Sequence, residues 1–275
     1  MRPLAQQWNP STVTRRALIA VAWALVFALG ALPARSETLD SGACAVPQEL
    51  LSSTNKLPHV AKKLHRGEPI KVVAFGSSST AGIGASSAKA NYPNRFRAEL
   101  QRLFPASKIT IVNKGVSGED VRQMMGRFQR DVLDEHPDLL IWQTGTNSAL
   151  HRNNVSSFSG KLAQGIDVAQ AAGIDVLLMS PQYSPKFEAV PNHQEYLDHI
   201  TTVGSLRHVP VLRRYQMMKY WVDSGEMTPS QMINPDGLHQ TDRSYLCLGV
   251  AAAHMVAGLA DYPALANLPV AHKQP

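Results

Sequence analysis

The sequence predicts an α/β protein in three layers (α/β/α), one parallel sheet of about five strands covered by helices on both faces. Two observations carry this. Short apolar runs recur along the chain, each followed by a loop and then by a segment with helical spacing of apolar residues. The runs are rich in β-branched residues and continuously apolar rather than alternating, as strands buried on both faces are. No internal repeat or second core is visible, and 275 residues with 44% apolar content fit one domain.

The strands are expected at IKVVAF (70–75), KITIVN (108–113), DLLIWQT (138–144), IDVLLMS (174–180) and HVPVLR (208–213). Helices are expected over 92–104, 118–133, 156–173, 192–206 and 242–259, and 47–65 reads as an N-terminal helical segment broken at Pro58. Trp142, inside the third strand, and Trp221, in MMKYWV, read as packing residues. Residues 76–88 are biased to Ser, Ala and Gly but are short enough to be a loop rather than an interdomain linker.

The two ends of the chain read differently. Residues 1–36 place Arg15 and Arg16 before ALIAVAWALVFALGAL and then Pro33, Ala34 and Ser36, the basic, apolar and small-residue order of an export signal. Cleavage after Ser36 is expected to release a periplasmic or secreted protein without stable membrane insertion, an uncleaved anchor being the alternative. Those 36 residues hold four arginines and no acid, so the formal net charge falls from +6 for the whole chain to +2 without them. With no dense Lys/Arg run in the remainder, nucleic-acid binding has no support. Residues 37–69 read as an N-terminal extension packed on the domain, 70–265 as the domain itself, and 266–275, ending in LPVAHKQP, as a tail.

Two cysteines, Cys44 and Cys247, would meet an oxidising compartment, where an even count suits one bridge, two buried free thiols being the alternative. In the chain-entropy model such a long loop contributes about 4 to 5 kcal/mol.

An open parallel sheet binds ligands beyond the carboxyl ends of its strands, so the loops that follow strands are where chemistry is expected. GSSSTAG (76–82) is not a Walker loop, because no Lys-Ser/Thr follows its second glycine, and the GxGxxG begun by Gly82 and Gly84 fails at Ser87. A phosphate cradle of backbone and hydroxyl groups remains open for it, as does a tight turn exposing a nucleophilic serine. NKGVSG (113–118) places glycines where a backbone N–H can approach a ligand, or simply turns the chain into a helix. GTNS (145–148) offers the Asn147 side-chain amide at the same edge, or a turn-stabilising asparagine. Within INPDGLHQTD (233–242), Asp236 and His239 are close enough for one carboxylate to orient one imidazole. Ser, Gly, Asn and Asp-x-x-His, in that order, make a complete set for acyl transfer.

With these four blocks the chain resembles the SGNH hydrolases, the GDSL-type esterase and lipase family, from about Ile70 to the helix after His239. The resemblance implies a flavodoxin-like sheet of order 2-1-3-4-5 and a serine esterase acting on short acyl or carbohydrate-linked esters. It implies Ser78 as nucleophile with His239 and Asp236, and an oxyanion hole of the Ser78 and Gly115 N–H groups and Asn147. Ser77 stands where the family usually has Asp, and Ser148 where Asp is common, which leaves the bracing of the first and third loops to be explained. Ser77, Gln182 and Tyr183 are candidate pocket residues, whereas Ser79 reads as a backbone-satisfying hydroxyl. No cofactor and no metal are expected, since His59, His65, His193 and His199 lack a convincing set of partner ligands. An acyltransferase with the same triad, or a non-catalytic envelope-binding protein on the same scaffold, are the competing readings.

Overall fold

A computed structural model describes residues 44–261. The expected export signal over 1–36 lies outside the described residues, as does the tail over 266–275. Strands β1 (Ile70–Gly76), β2 (Ile109–Gly115), β3 (Leu139–Gln143), β4 (Asp175–Met179) and β5 (Val211–Leu212) form one parallel sheet of order 2-1-3-4-5. The β1–β2 register runs from Ile70 opposite Ile109 to Gly76 opposite Gly115, so two glycines meet at the carboxyl edge. The helices of six residues or more among the described residues are α1 (Pro58–His65), α2 (Tyr92–Leu103), α3 (Val121–Gly126), α4 (Val155–Ala171), α5 (His193–Leu206), α6 (Arg214–Asp223) and α7 (Asp242–Leu259).

Successive strand residues point to opposite faces, which sorts each continuous apolar run into two cores. Ile70, Val72, Leu139, Ile141, Leu177 and Met179 pack with α1, α2, α6 and α7. Val73, Phe75, Leu140, Trp142, Val176 and Leu178 pack with α3, α4 and α5. Both tryptophans singled out in the sequence are fully buried, and Trp221 Nε1 donates to Ala45 O. No helix among the described residues is long and apolar enough to cross a membrane.

Three elements differ from expectation. The helix expected over 118–133 is interrupted after Gly126, because Arg127 leaves helical geometry (φ −117°, ψ 8°) and turns its side chain inward; Phe128–Asp131 resumes as one turn. Pro58 starts α1 rather than breaking it, since a residue without an N–H fits the first helical turn. The fifth strand shrinks to two residues that begin after Pro210, at the sheet edge.

The segment before β1 is fastened to the domain. Val46, Leu57, Val60 and Leu64 enter the first core, and Cys44 is bonded to Cys247 of α7, 203 residues away. An ion pair links α2 to α7: Glu99 lies between His254 (2.7 Å) and Arg102 (2.6 Å). Burial alone would raise the Glu99 pKa, but hydrogen bonds from Arg102 and His254 outweigh it and hold the carboxyl at about 2.

Reduction of the Cys44–Cys247 bond, or Cys44→Ser, is expected to lower the thermal midpoint by about 5 to 15 °C; an unchanged melting curve would show that the bond adds no stability. Because the folded pKa of Glu99 is depressed, its contribution is present above the unfolded value near 4.5 and is lost as pH falls toward about 2. Comparing acid unfolding of the native chain with that of Glu99→Gln checks this: the variant is expected to be less stable at pH 7, with the difference narrowing over that interval.

Candidate active site

The first loop is shorter than the sequence suggests, because Ser78–Ala81 coils into one helical turn directly after β1, with Ser78 as its first residue. Gly76 is required at the corner. A Cβ there would lie 2.2 Å from Thr80 Oγ1 and 2.7 Å from Gln143 Oε1. Gln143, the last residue of β3, braces the turn: its Oε1 accepts from Ser77 N (3.0 Å), Ser77 Oγ (3.2 Å) and Thr80 Oγ1 (3.1 Å). Ser77 is thereby turned into the protein. It supports the turn instead of lining a pocket, which corrects the expectation, and it shows what braces the first loop without an aspartate. Ser148 is likewise buried, and its Oγ accepts from Val121 N at the start of α3 (3.4 Å).

The fourth block closes on itself. Ile233 pairs with Gln240 in an antiparallel bridge, and Asn234 N donates to His239 O at 2.8 Å. Asp236 Oδ1 accepts from the Leu238 and His239 N–H groups, each at 2.9 Å, while Oδ2 meets His239 Nδ1 at 2.5 Å. Partial burial would raise the Asp236 pKa, but the His239 N–H and imidazole and the Leu238 N–H hold it near 2. The carboxylate is therefore ionised at neutral pH and fixes the imidazole with its other nitrogen toward Ser78. His239 Nε2 lies 2.9 Å from Ser78 Oγ, across 161 residues of sequence. Hydroxyl, imidazole and carboxylate in this order can move a proton away from the serine oxygen.

The second loop corrects the sequence reading. Gly115 N already donates to Asn113 Oδ1 (2.9 Å), so that N–H is not free to bind an oxyanion. Residue 115 must be glycine for another reason: a Cβ there would stand 2.1 Å from Ala81 N, beneath the Ser78 turn. Three residues on, Gly118 has φ +82°, is exposed, and finds no acceptor for its N–H among the described residues. Asn147 sits beside it in the short helix Thr146–Leu150, with Nδ2 donating to Glu119 O at 3.0 Å and its second hydrogen available.

Arg127 holds this loop and was not singled out in the sequence. It donates to Glu119 Oε2 (2.6 Å), Lys114 O (2.9 Å), Asp131 Oδ2 (2.9 Å) and Gly76 O (3.0 Å), and its guanidinium lies 4.3 Å from the Phe75 ring centre. In sequence it reads as one more charged residue on an amphipathic helix. Gln143 gives no signal either, being one polar residue closing an apolar strand.

After β4, Gln182 is only 1% exposed and its amide is engaged by Thr146 Oγ1, Arg214 and Leu238 O, so it too departs from the expected pocket role. Tyr183 does face open space. It lines a cavity of about 620 Å³ with Pro185, Val222, Met232, Ile233 and Pro235, on the flank of the loop that carries Asp236. Among the described residues no cluster of His, Cys, Asp or Glu has the arrangement of a metal site.

Comparison with known proteins agrees with this architecture. An esterase of two domains active on acetylated mannans superimposes with a TM-score of 0.64 at 16% identity, over 81% of this chain and 58% of that one. A G-D-S-L family protein from Desulfitobacterium hafniense gives 0.58 at 21% identity, over 68% and 99%. In sequence, an uncharacterized lipoprotein, YqeF, of Bacillus subtilis is 26% identical over 62% of this chain and 83% of its own length. An arylesterase of Vibrio mimicus is 24% identical over 62% and 79%. The model of the Non-GDSL lipase-like family matches residues 43–261, so the chain belongs to that family, among the SGNH/GDSL-like esterases and lipases.

Proposed function

We propose that the chain is an exported serine esterase that hydrolyses carboxylic esters through Ser78, His239 and Asp236. The observation that carries this is the continuous Ser78–His239–Asp236 hydrogen-bond chain at the carboxyl edge of the sheet. His239 Nε2 removes the hydroxyl proton as Ser78 Oγ attacks the ester carbonyl, and Asp236 stabilises the imidazolium that forms. His239 then returns the proton to the leaving alcohol. Water, deprotonated by the same nitrogen, releases the acid and restores Ser78. The oxyanion is met by the N–H groups of Ser78 and Gly118 and by Asn147 Nδ2, in place of the Gly115 donor expected from sequence.

Short acyl or carbohydrate-linked esters are the proposed substrates, supported by relatives described as active on acetylated mannans and as an acetylxylan esterase. Export is supported by the basic, apolar and small-residue order of the first 36 residues, by the disulfide and by the lipoprotein among the relatives. The Tyr183 cavity is proposed to receive the larger group of the ester, its lining being mostly apolar.

Ser78→Ala is expected to abolish hydrolysis of a short-chain chromogenic ester, a loss of at least about 10³-fold in kcat, with the circular dichroism spectrum unchanged. Equal turnover in the folded variant would refute Ser78 as nucleophile. Asn147→Ala is expected to cost about 10² to 10³ in kcat with little change in KM, the signature of a transition-state donor. Tyr183→Ala should raise KM several-fold for an aryl or long-alkyl ester and leave acetate esters of small alcohols unaffected; a uniform change across both would separate the cavity from substrate choice.

A further inference from the structure

Arg214 opens α6 and is 0% exposed, yet among the described residues no carboxylate bonds to it. A cation taken out of water without a counter-charge is costly, and the first turn of a helix is the unfavourable end for one. Burial pulls the Arg214 pKa down to about 10, with Tyr92 and Tyr245 opposing, so the guanidinium is still charged at neutral pH. Neutral acceptors hold it. Nε donates to Ser180 O (2.9 Å), Nη2 to Gln182 Oε1 (2.7 Å), and Nη1 reaches Gln240 Oε1 at 3.5 Å.

Both glutamines lead to the candidate active site. Gln182 Nε2 donates to Leu238 O (3.3 Å), the residue before His239, and Gln182 Oε1 also accepts from Thr146 Oγ1 (2.8 Å), the residue before Asn147. Gln240 follows His239 directly, and its Nε2 donates to Ser244 Oγ (2.6 Å) in the first turn of α7. One buried cation thus grips the chain on each side of His239 and the turn that carries Asn147.

We propose that Arg214 is a positioning residue for the reaction, its guanidinium fixing His239 and Asn147 through Gln182 and Gln240; this rests on the serine-esterase reading above. With no exposed surface, Arg214 does not touch a substrate. Its influence therefore falls on kcat rather than KM, since a small misplacement of the base or of an oxyanion donor is enough to slow the chemical step.

The test uses the full chain and a short-chain chromogenic ester. Arg214→Gln is expected to lower kcat about 30-fold with KM within about 3-fold, whereas Arg214→Lys, which keeps the charge and several donors, recovers kcat to within about 5-fold of wild type. A role confined to stability would lower the melting temperature of the folded variants and leave kcat per folded molecule unchanged. Should Arg214→Gln not fold, Gln182→Met cuts the link to Leu238 and Thr146 and is expected to give the same loss of kcat.

A second readout is the low-field proton resonance of the His239 Nδ1–H bonded to Asp236. It is expected in the wild type and in Arg214→Lys, and broadened or absent in Arg214→Gln and Gln182→Met. Folded variants that keep both kcat and this resonance would overturn the proposal. A wild type without Ser78-dependent hydrolysis would refute the esterase reading separately, and the resonance would still decide whether Arg214 positions His239.

Discussion

The site depends on a contact of backbone against backbone. The turn Ser78–Ala81 lies over the end of β2 so closely that a Cβ on residue 115 would stand 2.1 Å from Ala81 N, and the opposing Gly76 is as tightly enclosed by Thr80 and Gln143. Two glycines in register at the carboxyl edge of β1 and β2 let the chain fold back at once after the strand. Ser78 is thereby raised above the sheet edge, where His239 meets it at 2.9 Å. Side chains at either position would push the turn away and with it the serine oxygen.

Around this contact stand one neutral and one charged support, Gln143 and Arg127, both buried. Gln143 Oε1 takes three donors from the Ser78 turn, and Arg127 ties Gly76 O and Lys114 O to Glu119 in the neighbouring loop. Each unsatisfied group there would cost on the order of 1 to 3 kcal/mol, so the network favours one arrangement of the loops over its alternatives. Of the three linked residues only Asp236 is open to solvent, its side chain 43% exposed while Ser78 is buried, and its low pKa comes from directed hydrogen bonds rather than from enclosure.

Much of this was legible in the sequence, and the reason is local. Continuous apolar runs separated by helical spacing are enough to specify a parallel sheet with two covered faces, and α7 begins and ends at the expected residues, Asp242 and Leu259. Asp236 and His239 could be paired because their hydrogen bonds are made within one loop of eight residues, where spacing dictates geometry. The same local logic misled at 118–133, where the periodicity continues through Arg127 although that side chain turns inward to serve three distant acceptors. It also placed an oxyanion donor at Gly115, since a motif of two glycines does not say which N–H is already bonded.

By itself the sequence determined the layers, the order of the motif-bearing loops and the pairing of a carboxylate with an imidazole, because each follows from residues near one another in the chain. Only the tertiary structure decided which glycine keeps an unbonded N–H, that Ser77 and Gln182 brace instead of lining a pocket, and that Arg214 lies buried behind His239. The bracing by Ser77 and Gln182 and the burial of Arg214 depend on partners that meet across 26 to 66 residues, and that is fixed by packing and desolvation of the whole domain rather than by any short stretch of it.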